Sequence, residues 1–130
     1  MKEKTITWYV NQARKIASQL AKIRDNYTCL KCGRSAEAGW KIDASHIKPK
    51  GTYKSMSADV DNIKALCSTC HRWWHSNPTE SGLWFKKKYP KWHEKLRLRS
   101  MKTKHMGKLE WSEKLIKLKE ELNKLDNYEK

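Results

Sequence analysis

Cys67-Ser68-Thr69-Cys70-His71-Arg72-Trp73-Trp74-His75 sets two kinds of metal-binding side chain at two different spacings, and the reading of the whole chain turns on it. A CxxC pair can curl so that both sulfurs face one ion, whereas histidines four residues apart share one face of a helix and can bind one ion together. The flanking residues separate the two regimes. Asn62–Leu66 has the character of a short strand, and from Ser68 the pattern turns helical and runs to Ser76. The stretch therefore predicts a strand that feeds a helix, with the cysteine pair at the joint.

A second pair, Cys29-Leu-Lys-Cys32, lies upstream with 34 residues between the pairs, and Gly33 follows it with the freedom a tight knuckle turn requires. Four thiolates from Cys29, Cys32, Cys67 and Cys70 complete a tetrahedral Zn²⁺ shell, and four sulfurs leave no open position for substrate. The site is expected to be structural. Composition gives it a purpose: hydrophobic residues are 38% of the 130-residue chain and mean hydropathy is −0.97, thin for an unaided core. A zinc ion tying the base of a hairpin to the start of a helix supplies what apolar burial lacks.

The hairpin is predicted from Trp40–Ser45 and Asn62–Leu66, joined by a long polar loop over about 48–61, with Gly33, Gly39, Pro49 and Gly51 as punctuation. Ahead of it, residues 5–24 read as a helix capped by Thr5 or Thr7. Ile16, Leu20, Ile23 and Tyr27 supply its apolar spacing, with Ala13, Ala17 and Ala21 as small neighbours. Beyond it, Asn77-Pro78-Thr79-Glu80 reads as a new helix start, Asn77 as N-cap and Pro78 at the first position. Leu83, Trp84 and Phe85 follow until Tyr89-Pro90 interrupts. Another helix starts at Lys91, a basic break spans 102–108, and the last helix, about 109–126, places Trp111, Leu115, Leu118, Leu122 and Leu125 at coiled-coil-like intervals. That stripe is expected to pack on the N-terminal helix. The fold class is α+β, one domain over 1–130: an N-terminal helix (1–26), a zinc-stapled core (27–76) and basic C-terminal helices (77–130).

Charge narrows the partner. There are 29 Lys+Arg against 14 Asp+Glu, a formal net charge of +15. Residues 29–85 hold eight basic and five acidic side chains, whereas residues 86–130 hold fifteen and seven, so the flanks carry most of the surplus. Such a field favours a polyanion, and nucleic acid is the expected partner. No apolar run approaches the length of a bilayer, so no membrane is expected, and the N-terminal stretch lacks the apolar region of a signal peptide. The chain is expected in a reducing cytoplasm, where cysteines serve metals sooner than disulfides.

With zinc on the cysteines, the histidines are free for other work. His46 ends a strand in Ile42-Asp43-Ala44-Ser45-His46-Ile47; Asp43, three residues earlier, should face the other way and share a face with Ser45. His93 and His105 sit among lysines with no partner at ligand spacing and read as surface residues. Trp73 and Trp74 cannot both face a metal, so at least one should pack against the hairpin.

The order of knuckle, strand with His46, loop, Asn62, second knuckle and helix with His71 resembles the HNH endonucleases and their ββα-metal fold. The match rests on Asp43-Ala-Ser-His46-Ile, Asn62 and Leu66-Cys-Ser-Thr-Cys-His71, over about 29–76. Lys48-Pro-Lys-Gly51 and Trp73-Trp-His-Ser-Asn-Pro78 look most like small phage-encoded members, which would place the protein in a host cell's cytoplasm among phage DNA-packaging or recombination proteins. The resemblance implies His46 as the general base that activates water, and Asn62 as the residue that fixes the loop and orients it. His71 and His75, with a carboxylate, would hold a catalytic Mg²⁺ or Mn²⁺. Many members place a metal-binding Asp or His immediately before the base. Here that residue is Ser45, so Asp43 is expected to reach the ion, with Ser45 or water as the alternatives. Lys48, Lys50, Lys54 and Arg72 flank the centre and are expected to contact DNA phosphates. One such centre cuts one strand, so a double-strand break needs a homodimer or two encounters. The competing readings are a non-catalytic zinc-dependent DNA-binding module and a nuclease specialised for branched DNA.

Overall fold

The computed structural model describes residues 3–129. Its first helix, α1 (Ile6–Arg24), starts where the Thr5 hydroxyl accepts the Trp8 N–H, an N-cap that satisfies one of the free amides of the first turn. It ends at Asp25, and Asn26 and Tyr27 take positive φ (55° and 48°) to turn the chain toward the first cysteine pair. Asp25 also accepts the Ala65 N–H at 2.9 Å, so the helix end is tied directly to the sheet.

The sheet has two antiparallel strands, β1 (Ile42–His46) and β2 (Ile63–Cys67), with Ile42 opposite Cys67 and His46 opposite Ile63. The expected first strand began two residues too early: Trp40 stays outside it, exposed, with the Arg34 guanidinium over its ring. The connecting loop closes through two short 3₁₀ turns, Lys54–Met56 and Val60–Asn62. Helix α2 (Ser68–Ser76) leaves β2 without a linker; the Cys67 sulfur caps it by accepting the Cys70 N–H. Then come α3 (Pro78–Lys88), α4 (Pro90–Ser100) and α5 (Lys108–Glu129). Both prolines stand at first helical positions, where the missing N–H costs nothing.

Two expectations need correction. Asn77 does not cap α3 with its side chain; its Nδ2 donates to the Trp73 carbonyl and so closes the end of α2. The buried face of α1 is formed by Val10, Ala13, Ala17, Leu20 and Ala21, while Ile16 is only half-buried and Tyr27 is exposed. Small residues win this face because α5 lies against it and brings Trp111 and Leu118, which fill the space that alanine leaves. The α5 stripe does pack on α1, though Leu125, at its far end, is exposed.

The hairpin is covered on both faces. Ile63 and Ala44 meet α1, together with Ala58 of the loop. On the other side Trp74 of α2 joins a cluster of Met56, Phe85, Leu96, Tyr89 and Trp92, so α3 and α4 are held by aromatic edge-to-face contacts more than by aliphatic packing. No helix among the described residues is long and apolar enough to cross a membrane.

Candidate active site and metal centre

The four cysteine sulfurs lie within 4.8 Å of one another, placed to hold one metal ion. The Cys32 and Cys67 sulfurs are 3.6 Å apart. Sulfurs each about 2.3 Å from a tetrahedral zinc are about 3.7 Å apart, so the donor set fits that ion. Its placement follows from the elements: Cys67 is the last residue of β2, Cys70 lies in the first turn of α2, and Cys29 and Cys32 form a loop whose Leu30 N–H bonds the Ala65 carbonyl. Burial pushes the Cys70 thiol far up, and burial raises Cys32 as well. Burial also opposes ionisation of Cys67, but the Cys70 N–H and the Arg34 guanidinium hold it down to about 6. Four thiols crowded this closely ionise together only around a cation.

A cleft of about 560 Å³ opens between the hairpin and helices α2–α4, and His46, His71, His75 and His93 all line it, with Lys48 and Lys50 at its rim. The ring of His46 is held by its Nε2, 2.7 Å from the Ser57 carbonyl. A carbonyl only accepts, so Nε2 carries the proton and Nδ1 keeps the lone pair in the neutral ring. Burial pushes the His46 pKa below the ordinary 6.5; the Ser57 carbonyl pulls the other way, and Lys50, Arg14 and Lys64 side with burial. The result is a neutral imidazole with one fixed tautomer.

Asn62, fully buried, donates to the carbonyls of Lys48 and Met56 and accepts the Lys48 N–H at 2.8 Å. It locks both ends of the loop that carries Ser57. It makes no side-chain bond to His46, and reaches that ring only through the loop it fixes.

His71 and His75 bring their Nε2 atoms to 3.1 Å from each other. Two nitrogens each about 2.1 Å from one octahedral ion at right angles are about 3.0 Å apart, so the pair fits two neighbouring positions around a divalent ion. The expected third ligand stands elsewhere. Asp43 places Oδ2 3.1 Å from Nδ1 of His71, on the opposite side of the ring from the nitrogen that faces His75. Ser45 is not aimed at the pair either: it is fully buried and accepts from Lys64 Nζ at 3.1 Å. Asp43 and Ser45 do share a strand face, as alternation required, and Lys64 pairs with Ser45 directly across the sheet.

Lys64 is the residue the sequence reading passed over. Its ammonium is 0% exposed, lies 3.2 Å from the centre of the Trp74 ring, and is pushed by burial well below its ordinary pKa, with Asp25 and Cys29 opposing. A lysine in a strand of otherwise apolar residues was the available signal. Of the four basic residues expected at DNA phosphates, Lys48 and Lys50 line the cleft; Lys54 and Arg72 do not. Lys54 belongs to a separate groove near Trp111. His93, read as a surface residue, belongs to the cleft, whereas His105 lies in that other groove. Trp74, not Trp73, is the tryptophan that packs on the hairpin, through Lys64.

No curated protein and no solved structure matches the chain. A family model described as HNH endonuclease matches residues 29–77. The match begins on the first ligand cysteine and ends on the residue after α2, so it encloses the hairpin, both cysteine pairs and every histidine of the cleft except His93. Residues 29–77 are thus similar to the HNH endonucleases, and this stretch is covered by α1, with α5 against it, on one face and by α3 and α4 on the other.

Proposed function

We propose that the protein is a metal-dependent endonuclease that hydrolyses DNA phosphodiester bonds, one strand per centre, leaving 5′-phosphate and 3′-hydroxyl ends. The observation that carries this reading is His46: a half-buried, neutral imidazole with Nε2 committed to a backbone carbonyl and Nδ1 left as a base, in one cleft with a histidine pair at ligand spacing. Lys48 and Lys50 hold the phosphate backbone over the cleft through charge alone. His46 Nδ1 takes the proton of a water molecule as its oxygen attacks phosphorus, the bond to the 3′ oxygen breaks, and that oxygen takes a proton from solvent water to leave as the hydroxyl. A divalent ion such as Mg²⁺ or Mn²⁺, held when bound by His71 and His75, supplies charge stabilisation for the phosphorane and the leaving oxygen. Asp43 fixes the His71 tautomer from behind, the part a carboxylate plays beside a metal-bound imidazole. The four cysteines hold a structural zinc. The likeness of Lys48–Gly51 and Trp73–Pro78 to small phage members supports a role in phage DNA processing.

The test is incubation of supercoiled plasmid with the protein and Mg²⁺ or Mn²⁺, beside His46→Ala and an EDTA control. Wild type should nick, and His46→Ala should lose activity by 10²-fold or more while still binding DNA with a steep salt dependence. Equal nicking by His46→Ala would remove the base from the mechanism. A non-catalytic DNA-binding module would bind in the same way and cut nothing.

A further inference from the structure

α4 lies outside the stretch that matches the HNH model, yet it brings two residues, His93 and Leu96, to the wall of the cleft. The chain breaks at Tyr89-Pro90 and restarts, which turns α4 so that His93 and Leu96, three residues apart, share one face. Leu96 is fully buried against Phe85 and Met56 and anchors that face; His93, half-exposed beside the Phe85 ring, is thereby held at the cleft wall. The groups around it are mostly cationic: Lys48 from the loop after β1, Lys86 from α3 and Arg97 from its own helix, against Glu94 alone. Glu94 is itself occupied by Arg97, through two hydrogen bonds of 2.9 and 2.7 Å.

We infer that His93 is a phosphate-binding residue of this cleft, which with Lys48 grips a backbone phosphate of the bound DNA. The inference deepens the nuclease reading and rests on DNA as the occupant of the cleft. In the free protein the ring is kept neutral, since burial comes first and Lys48, Lys86 and Arg97 all disfavour a further positive charge. The negative charge of a phosphodiester between Lys48 and His93 reverses that balance, so the ring takes up a proton as DNA binds. Binding through His93 therefore strengthens as pH falls from 8 toward 6, in a way that a lysine at the same place would not show.

The experiment is a titration of a short fluorescein-labelled duplex by anisotropy, with zinc-loaded protein carrying His46→Ala so that no cleavage intervenes. His93→Gln should weaken binding about tenfold at pH 6 and no more than about twofold at pH 8, at equal thermal stability. His93→Lys should restore tight binding and make it independent of pH across that range. Equal affinity of the parent and His93→Gln at pH 6 would overturn the inference. So would a His93→Lys protein that binds no better than His93→Gln, because then packing and not charge is what the ring supplies. The series reads binding only, so a wild-type protein that fails to nick plasmid would defeat the nuclease reading and leave this result standing.

Discussion

Asp43→Asn separates a carboxylate that holds a ligand in place from one that is itself a ligand. In the structure Asp43 Oδ2 accepts from His71 Nδ1 at 3.1 Å, in a setting where both side chains are about a quarter exposed or less (21% and 25%). The bond forces His71 to carry its proton on Nδ1 and leaves the Nε2 lone pair facing His75. The carboxylate charge also favours a cation on that lone pair. Asparagine can still accept the hydrogen bond through its carbonyl but brings no charge, so the tautomer survives and the attraction for a cation falls. Outer partners of this kind are worth about 10–100-fold in metal affinity, and retention of the hydrogen bond puts Asp43→Asn near the low end, about tenfold or 1.4 kcal/mol. Asp43→Leu, which loses the bond as well, should approach 100-fold. The assay is plasmid nicking against Mn²⁺ concentration: the half-saturating concentration should rise about tenfold in Asp43→Asn, with the plateau rate within about twofold of wild type. A variant that stays inactive at any Mn²⁺ concentration would show that Asp43 binds the ion directly. A variant with unchanged half-saturation would show that the contact with His71 does nothing for the ion.

Two further outcomes follow from the same geometry. Removal by chelation of the metal that the four cysteines are placed to hold, or Cys67→Ser, should unfold the protein globally, seen as loss of far-ultraviolet circular dichroism together with the tryptophan signal, because Cys67 both belongs to that four-sulfur site and caps α2; a chain that keeps its fold without the ion contradicts a structural role. The acid limb of kcat/KM should fall below pH 6.5, since the base works only when neutral and burial, with Lys50, Arg14 and Lys64, favours the neutral ring. Activity is therefore held at pH 7 and lost as pH drops through the lowered value, and an inflection above 6.5 would mean that His46 is not the group being titrated.

What the sequence made legible is what local spacing controls. CxxC pairs, the start of α2 at Ser68, the start of α3 at Pro78 and the Tyr89-Pro90 break all depend on residues within a few positions and stand where they were expected, whereas α4 starts on Pro90 itself, one residue before the expected Lys91. The errors arise where a neighbour in space decides. Ala13, Ala17 and Ala21 displaced the larger Ile16 from the buried face because Trp111 comes from nearly a hundred residues away. Asn77 has one amide and two helices to serve, and the α2 carbonyl took it. His93 sits among lysines in the sequence, and only the turn between α3 and α4 carries it to the cleft. Asp43 was placed on the correct strand face, but the ring it meets belongs to α2, and no strand periodicity says which nitrogen of that ring it will find.

The weakness of the apolar core and the precision of the site have one cause. Between the hairpin and α2, the apolar packing of Cys70 and Trp74 on Ile42, Ala65 and Leu66 is joined by other contacts: the cysteine cluster at one end, the Lys64 ammonium against Ser45 and the Trp74 ring in the middle, and Asp43 on His71 at the side. Each is directional, whereas hydrophobic contact tolerates sliding. A slide of α2 by one residue, about 1.5 Å along its axis, would break every one of these directional contacts. His71 follows Cys70 directly and His75 follows Trp74 directly, so the four-cysteine cluster and the lysine-bound tryptophan fix His71 and His75 one residue away from each anchor. On this view Lys64 stands behind Ser45 as the residue that sets α2 against the strand bearing His46. A buried ammonium is a costly way to hold two elements together, and the cost is met because its partners, Ser45 on one element and Trp74 on the other, are the two surfaces whose relative position the chemistry depends on.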